Sequence, residues 1–332
     1  MQIVLNKYGI EIKVHNGMFR VIHQKEIHDI PVKKVSSILI NQSAKLTSNV
    51  MFLAIENEIE IILVSKTGKP EGRIWSPKYG SISNIRKNQV GFGKSSDAIE
   101  WIKGIIGQKI SNQQTLLMAL QKYDMSNKED IEKNYIKLNK YIENIQQLNG
   151  ETINDVAQRL RGIEGSASRL YFATINEYLP EIYKFNKRSQ HPAFDMFNSM
   201  LNYSYGMLYN HVERALIKAG IDPYVGILHR DEYNRPVLVF DFIEQYRVWA
   251  DYVVIDLCMQ NVIFPDFFDI DNGVHLLNEG GKRILIQSIN DYMDELIDRN
   301  SKQRSRVTHI ELDAQNFAAK LKNWIEDKES PF

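Results

Sequence analysis

The feature that most constrains this chain is a change of hydrophobic period along its length. Up to about residue 77 the apolar residues come in short runs bounded by turn residues. From about residue 95 they recur at three- and four-residue steps over stretches several turns long. A period near two calls for strands and a period near 3.6 calls for helices. One layer cannot satisfy both, so the chain must build two cores in sequence.

The first part reads as strands at Gln2 to Val14 (broken at Gly9), Met18 to His23, Val35 to Ile40 and Ile59 to Val64. Their β-branched enrichment and turn spacing favour sheet. Between the last two runs Thr47 or Ser48 can cap a short helix carrying Val50, Leu53 and Ala54 on one face. Thr67 to Gly72 reads as a turn into a last strand near Arg73-Ile74. In the second part helical spacing covers Asp97 to Tyr123, Lys128 to Leu148, Thr152 to Phe172, Phe194 to Ala219, Pro236 to Met259, Lys282 to Asn300 and Ala314 to Glu326. Gly220 stands where a helix C-terminus wants a left-handed residue, and Pro236 suits a first turn. The expected fold is α+β: a small N-terminal β-domain with one short helix over 1–77, a basic linker over 78–94, and a larger all-α domain over 95–332. A chain of 332 residues has room for two such cores.

Several classes drop out. The single cysteine, Cys258, excludes a disulfide scaffold and a cysteine-rich zinc module, and its apolar setting favours a buried thiol over a nucleophile. Lys7 and Glu11 interrupt the N-terminal apolar stretch, against a signal peptide, and no run approaches the ~18 apolar residues of a membrane span. A cytoplasmic protein with no membrane partner is expected. The 41 basic and 41 acidic residues cancel. Residues 1–90, however, hold 13 Lys+Arg against 7 Asp+Glu, so that part is +6 and the rest −6. Lys66, Lys69, Arg73, Lys78, Arg86, Lys87 and Lys94, with Trp75 and Tyr79 among them, form the densest basic stretch. Such a stretch suits a phosphate backbone or, equally, a solvated linker.

The unusual polar residues lie in three segments. Glu164 stands in the helical stretch between Gly162 and Gly165, and each interior glycine costs about 1 kcal/mol relative to alanine, which predicts a close approach at that face. His229 follows Gly226-Ile227-Leu228 in a loop between two long helices, where a satisfied core histidine is the plain alternative. Asp241, Glu244 and Arg247 follow at three-residue steps amid Phe240, Phe242 and Ile243. Acids in such surroundings need a metal or a salt bridge, and Arg247 could supply the latter. One imidazole with two or three carboxylates makes a mixed N/O donor set suited to Mg²⁺ or Mn²⁺. In phosphoryl chemistry such an ion activates the nucleophile and neutralises developing charge.

These pieces, in this order, resemble the CRISPR-associated protein one family. The resemblance rests on SILINQSAKLTSNVMFLAIENEIEIILVSKTGKPEGR, ending at Arg73, on Glu164-Gly165 with Ala167, Arg169 and Tyr171, and on Leu201-Asn202-Tyr203-Ser204-Tyr205-Gly206. It continues through Asp222-Pro223, Leu228-His229 and Asp241-Phe242-Ile243-Glu244-Gln245-Tyr246-Arg247. It implies an integrase and metal-dependent DNA endonuclease with Glu164, His229 and Glu244 as metal ligands and Asp241 as an accessory catalytic acid. It also implies that residues 1–77 serve dimerisation and that 95–332 form the catalytic domain. The expected partners are double-stranded DNA (prespacer and CRISPR repeat), a second copy, and CRISPR-associated protein two. Arg169, Lys78, Arg86 and Lys87 are the candidate DNA contacts, while Tyr171, Tyr203, His191 and His211 read as structural. Two other readings of the residues stand beside this one: a metal-dependent phosphohydrolase on small phosphate esters, and a non-catalytic nucleic-acid-binding module whose acids form structural ion pairs.

Overall fold

The structure, a computed structural model, describes residues 1–325 except 36, 42–43, 66–69, 75–82, 123–127, 191, 230–234 and 300. The chain divides into two units, Met1–Gly80 and Ser81–Phe332.

The first unit contains β1 (Gln2–Leu5), β2 (Glu11–His15), β3 (Met18–His23), β4 (Glu26–Pro31), β5 (Ser37–Ile40), β6 (Lys45–Leu46), α1 (Ser48–Glu56), β7 (Glu60–Val64) and β8 (Pro70–Ile74). They form two four-stranded sheets, ordered β1-β5-β7-β8 and β4-β3-β2-β6. In the first sheet β1, β5 and β7 run parallel and β8 antiparallel; in the second only the short β6 pairs in parallel, with β2. The alternating residues Ile3, Leu5, Ile12, Phe19, Ile38 and Ile61 meet Val50 and Ala54 of α1 in one core. Asn16 and Gly17, both with positive φ, make the two-residue turn between β2 and β3. Strand β4 went unread in the sequence because its residues are almost all exposed and no apolar alternation marks it. Arg73 pairs with Glu60 at 3.0 Å, both side chains buried, so it is committed inside the sheet rather than offered to phosphate. Lys66, Lys69, Lys78, Trp75, Tyr79 and the first half of the Thr67 to Gly72 turn lie outside the described residues, while Pro70 to Gly72 open β8.

The second unit contains α2 (Ser83–Phe92), α3 (Ser96–Leu120), α4 (Lys128–Gln146), α5 (Ile153–Tyr178), α6 (Met196–Lys218), α7 (Val237–Ile243), α8 (Arg247–Met259), β9 (Phe268–Asp271), β10 (Val274–Leu277), α9 (Glu279–Asp294), β11 (Leu296–Arg299), β12 (Lys302–Ser305) and α10 (Arg306–Asn323). The helical character agrees with expectation but differs in several places, among them the last helix, which starts at Arg306 rather than Ala314. The stretch expected as a linker carries α2, because Ile85, Gln89 and Phe92 recur at helical steps and bury against α10. The helical unit also holds two hairpins, β9–β10 and β11–β12. The helix expected over 282–300 begins earlier, at Glu279, capped by Asn278, whose side chain accepts from the Gly281 N–H, and gives way to β11 after Asp294. Helix α6 ends at a left-handed Gly220, with the Ile221 N–H donating to the Leu216 carbonyl as in a Schellman cap. No helix among the described residues is long and apolar enough to cross a membrane.

Helix α3 positions the site. It packs against α4, α5 and α8, and against a single 3₁₀ turn, Glu244–Tyr246, that separates α7 from α8. The one long helix expected from Pro236 to Met259 is thus interrupted at Glu244, a place where short 3₁₀ segments often mark function.

Candidate functional site

Glu164 and Glu244 converge on one nitrogen. Glu164 projects from the middle of α5, whose start is fixed by a capping box in which Asp155 accepts from the Thr152 N–H at 2.8 Å. Glu244 lies in the 3₁₀ turn. Lys109 of α3 places its Nζ against Glu164 Oε1 and, at 2.6 Å, against Glu244 Oε2. Two oxygens that share one donor are separated by at most two hydrogen-bond lengths, ~5.5 Å. Ser168 Oγ donates to Glu164 Oε1 at 2.9 Å, and Arg247 Nε donates to Glu244 Oε1 at 2.8 Å. The contact between Lys109 and Glu244 Oε2 is an ion pair without directional hydrogen-bond geometry, so that oxygen keeps an unused lone pair.

The electrostatics follow from burial against pairing. Burial opposes ionisation of Glu244, but Arg247 and Lys109 outweigh it and hold the carboxyl down at about 2. Burial likewise opposes the charge of Lys109, yet Glu244 and Glu164 raise its pKa, so it stays an ammonium. Arg247 in turn lies over the Tyr205 ring at 4.7 Å. The Tyr205 and Tyr171 hydroxyls donate to the two oxygens of Asp251 at 2.6 and 2.9 Å. Burial pushes the Asp251 carboxyl up to about 6 against those two hydrogen bonds. Tyr171 is therefore a buried structural donor, as expected.

Asp241 does a different task from Glu244, although the two were expected to share one helix face. It is fully buried and turned toward the loop before α7. Its Oδ2 accepts from the Ile227 and Leu228 amides at 2.8 and 3.0 Å, and its Oδ1 from the His229 amide at 3.1 Å. The His229 Nδ1 lies 2.6 Å from the same Oδ1. A carboxylate oxygen accepts from an N–H, so Nδ1 carries a proton, and in the neutral imidazole the lone pair is then on Nε2. Burial lowers the imidazole pKa, but Asp241, helped by Glu244, more than reverses it. Arg161 Nη2 donates to the Leu228 carbonyl at 2.6 Å, tying the same loop to α5. Gly226 is required here, because a Cβ would strike the His229 carbonyl oxygen and lie 2.8 Å from Val237 Cγ2.

The structure thus brings together Glu164 with Glu244, and His229 with Asp241. Among the described residues no three His, Cys, Asp or Glu side chains stand close enough to hold an ion as arranged. The donor chemistry nevertheless fits a hard divalent cation, because two carboxylates already share one cation and the imidazole has a carboxylate partner of the kind metal-bound histidines keep. Lys109 and Arg161 were missed in the sequence. The signal for Lys109 was a lysine between Ile106 and Ile110 on a buried helix face, where lysine is found almost only when paired. Arg161 left no such signal.

Among the described residues nothing makes the close approach expected at Gly162 and Gly165: a Cβ at Gly162 would meet no atom within 4 Å, and one at Gly165 only the tip of Arg169. Gly162, Ile163, Ser166 and Arg159 instead line a groove of about 510 Å³ against Tyr141 and Asn144 of α4 and Gln147 just after it. Arg169 is exposed and donates to Ser166 Oγ at 3.0 Å. Arg86 and Lys87 are exposed on α2, and Lys78 lies outside the described residues. His211 is held neutral by burial, its pKa falling to about 4, in keeping with a structural role; His191 is outside the described residues.

The family model for CRISPR associated protein Cas1 matches residues 3–291. An Archaeoglobus fulgidus protein named CRISPR-associated endonuclease Cas1 1 is 28% identical over 334 residues, covering 97% of this chain and 96% of its own. CRISPR-associated protein Cas1 3 of Methanobrevibacter ruminantium is 30% identical, covering 82% of each. Among solved structures, a Cas1 protein of Thermotoga maritima superposes with a TM-score of 0.80 at 18% identity, covering 97% of each chain. A casposase bound to integration product superposes with a TM-score of 0.81 at 20% identity, covering 99% of this chain and 94% of its own. A matched sequence model over most of the length, with the same fold in remote neighbours, places this chain in the Cas1 family of CRISPR-associated proteins.

Proposed function

We propose that this chain is the integrase subunit of CRISPR adaptation, a metal-dependent DNA endonuclease and strand-transfer enzyme that inserts short DNA into a CRISPR array in antiviral defence. The observation that carries the reading is the convergence of Glu164 and Glu244 on one cationic nitrogen, beside a histidine whose Nδ1 is bound by Asp241. Family membership supports it, as do the endonuclease name of a relative and the integration product bound to a structural neighbour.

In this reading Glu164, Glu244 and the Nε2 of His229 hold Mg²⁺ or Mn²⁺. When bound, the ion supplies Lewis acidity that activates the attacking hydroxyl and offsets charge on the phosphorane oxygens. Asp241 holds His229 in the tautomer that leaves Nε2 unprotonated and acts through it. Arg247 keeps Glu244 ionised, and Tyr205 keeps Arg247 in place. A DNA 3′-hydroxyl forms a new phosphodiester while the target strand's bond breaks and releases its own 3′-hydroxyl, so bond number is conserved and no ATP is needed. Water in the same position gives hydrolysis. Arg169, Arg86 and Lys87 contact the DNA backbone of prespacer and repeat. Residues 1–77 dock a second copy, and a Cas2 partner completes the complex; two of the structural neighbours come from Cas6-RT-Cas1–Cas2 complexes. The setting is the cytoplasm.

The test is strand transfer and cleavage on a repeat-containing duplex with Mn²⁺. Glu164→Gln and His229→Ala should each lower both activities by at least ~100-fold while the proteins stay folded and bind DNA. The ion pair between Arg247 and Glu244 favours a second reading, in which these charges are purely structural. Full activity in the Glu164→Gln protein would favour that reading and exclude the first.

A further inference from the structure

The Glu164–Glu244 pair already has its counter-charge. Lys109 and Arg247 supply two positive charges against two negative ones, and the Lys109, Glu244 and Glu164 side chains are 8%, 8% and 26% exposed. A divalent cation added to this neutral cluster would leave two uncompensated positive charges in a largely dry site, which burial makes expensive. Either a cation must leave or anions must arrive. Arg247 is pinned by Glu244 on one side and the Tyr205 ring on the other. Lys109 ends a flexible four-carbon stem, and its hydrogen bond and ion pairs among the described residues are to the two carboxylates. Lys109 is therefore the group that can move, and a phosphate-bearing strand is the anion that can both balance the charge and receive its ammonium.

We propose that Lys109 is the resident counter-ion of the Glu164–Glu244 pair, holding the metal position closed until a DNA phosphate arrives, so that ion and DNA bind cooperatively. This rests on the metal reading of Glu164 and Glu244. Linkage makes the effect reciprocal: a duplex that tightens Mn²⁺ binding is itself bound more tightly by the same factor when Mn²⁺ is present.

The test is Mn²⁺ binding to the full chain, read from the EPR signal of the free ion, with and without a short DNA duplex, for the unchanged protein, Lys109→Met, Lys109→Arg and Glu164→Gln. The unchanged protein and Lys109→Arg should bind Mn²⁺ weakly alone and about tenfold or more tightly with the duplex. Lys109→Met should bind Mn²⁺ about tenfold more tightly without DNA and lose most of the enhancement by DNA. Its melting temperature should be lower without metal and rise more on adding Mn²⁺ than that of the unchanged protein. No tightening in Lys109→Met, or no larger thermal shift, overturns the role of Lys109 while leaving the metal reading standing. No Mn²⁺ binding by any of the proteins, with or without DNA, or equal binding by Glu164→Gln, overturns both.

Discussion

Replacing Asp241 by Asn separates its scaffolding from its chemistry. The carboxylate accepts four hydrogen bonds: two from amides at Oδ2, one from an amide at Oδ1, and one from the imidazole. An asparagine can offer only one acceptor oxygen. Facing that oxygen to Ile227 and Leu228 keeps both amides paired but loses their charge assistance, at ~0.5–1 kcal/mol each. The new NH₂ then faces the part-buried His229 amide, which becomes an unsatisfied donor at a cost of ~1–3 kcal/mol. The total loss is about 2–5 kcal/mol. The same NH₂ faces Nδ1, which can accept only if the proton moves to Nε2. The imidazole would then lose the lone pair needed by a metal, although it stays in place. Urea unfolding followed by tryptophan fluorescence reads the stability, since Trp101, Trp249 and Trp324 all lie in the helical unit. The ¹⁵N shifts of the histidine ring read the tautomer. Strand transfer should fall by ~10–100-fold, the usual cost of losing a carboxylate behind a metal-bound histidine. A stability loss under ~1 kcal/mol with Nε2 still unprotonated would refute the reasoning.

Three further outcomes are expected. Gly226→Ala should cost about 1–3 kcal/mol and lower activity, because its Cβ would push on the His229 carbonyl and on Val237, 2.8 Å away; thermal melting and strand transfer check it. Asp251, raised from 3.8 to about 6 in the folded state, contributes stability that is full below its unfolded pKa and lost as pH rises through about 6. The stability of the unchanged protein relative to Asp251→Asn should therefore fall by about 2–3 kcal/mol between about pH 4 and about pH 8, and a flat difference would count against the buried charge. Cys258 is fully buried and its thiol is pushed well above the ordinary range, so a thiol reagent should label it only as fast as the protein unfolds.

Most elements were legible because local periodicity carries them. The apolar steps of α3, α4, α5 and α6 mark helices whatever packs against them, and Gly220 marks the end of α6 because only its backbone enters the left-handed region cheaply. The hairpin β9–β10 was legible too, and overlooked. Asn272-Gly273 is the same left-handed pair that turns β2 into β3 at Asn16-Gly17. Strand β4 and the hairpin β11–β12 carry weaker signals, since Gln24 and Ser301 take positive φ without a neighbouring glycine. The break at Glu244 left none, because a 3₁₀ turn keeps nearly the same apolar spacing as the helices it joins.

The sequence by itself determined two cores of different period, the uneven distribution of charge, and a short set of acids and one histidine too polar for their surroundings. It could do so because propensity, periodicity and the cost of burying charge act locally. It also carried a family resemblance, in the order of motifs no one of which is specific. Only the tertiary structure decided which polar groups meet. Asp241 and Glu244 lie three residues apart, yet one anchors the His229 loop and the other joins Glu164 across 80 residues of chain. The cation between those carboxylates comes from Lys109, on a third helix. Coulomb attraction and desolvation depend on distance in space, and no spacing along the chain encodes which helix will bring its lysine to the gap.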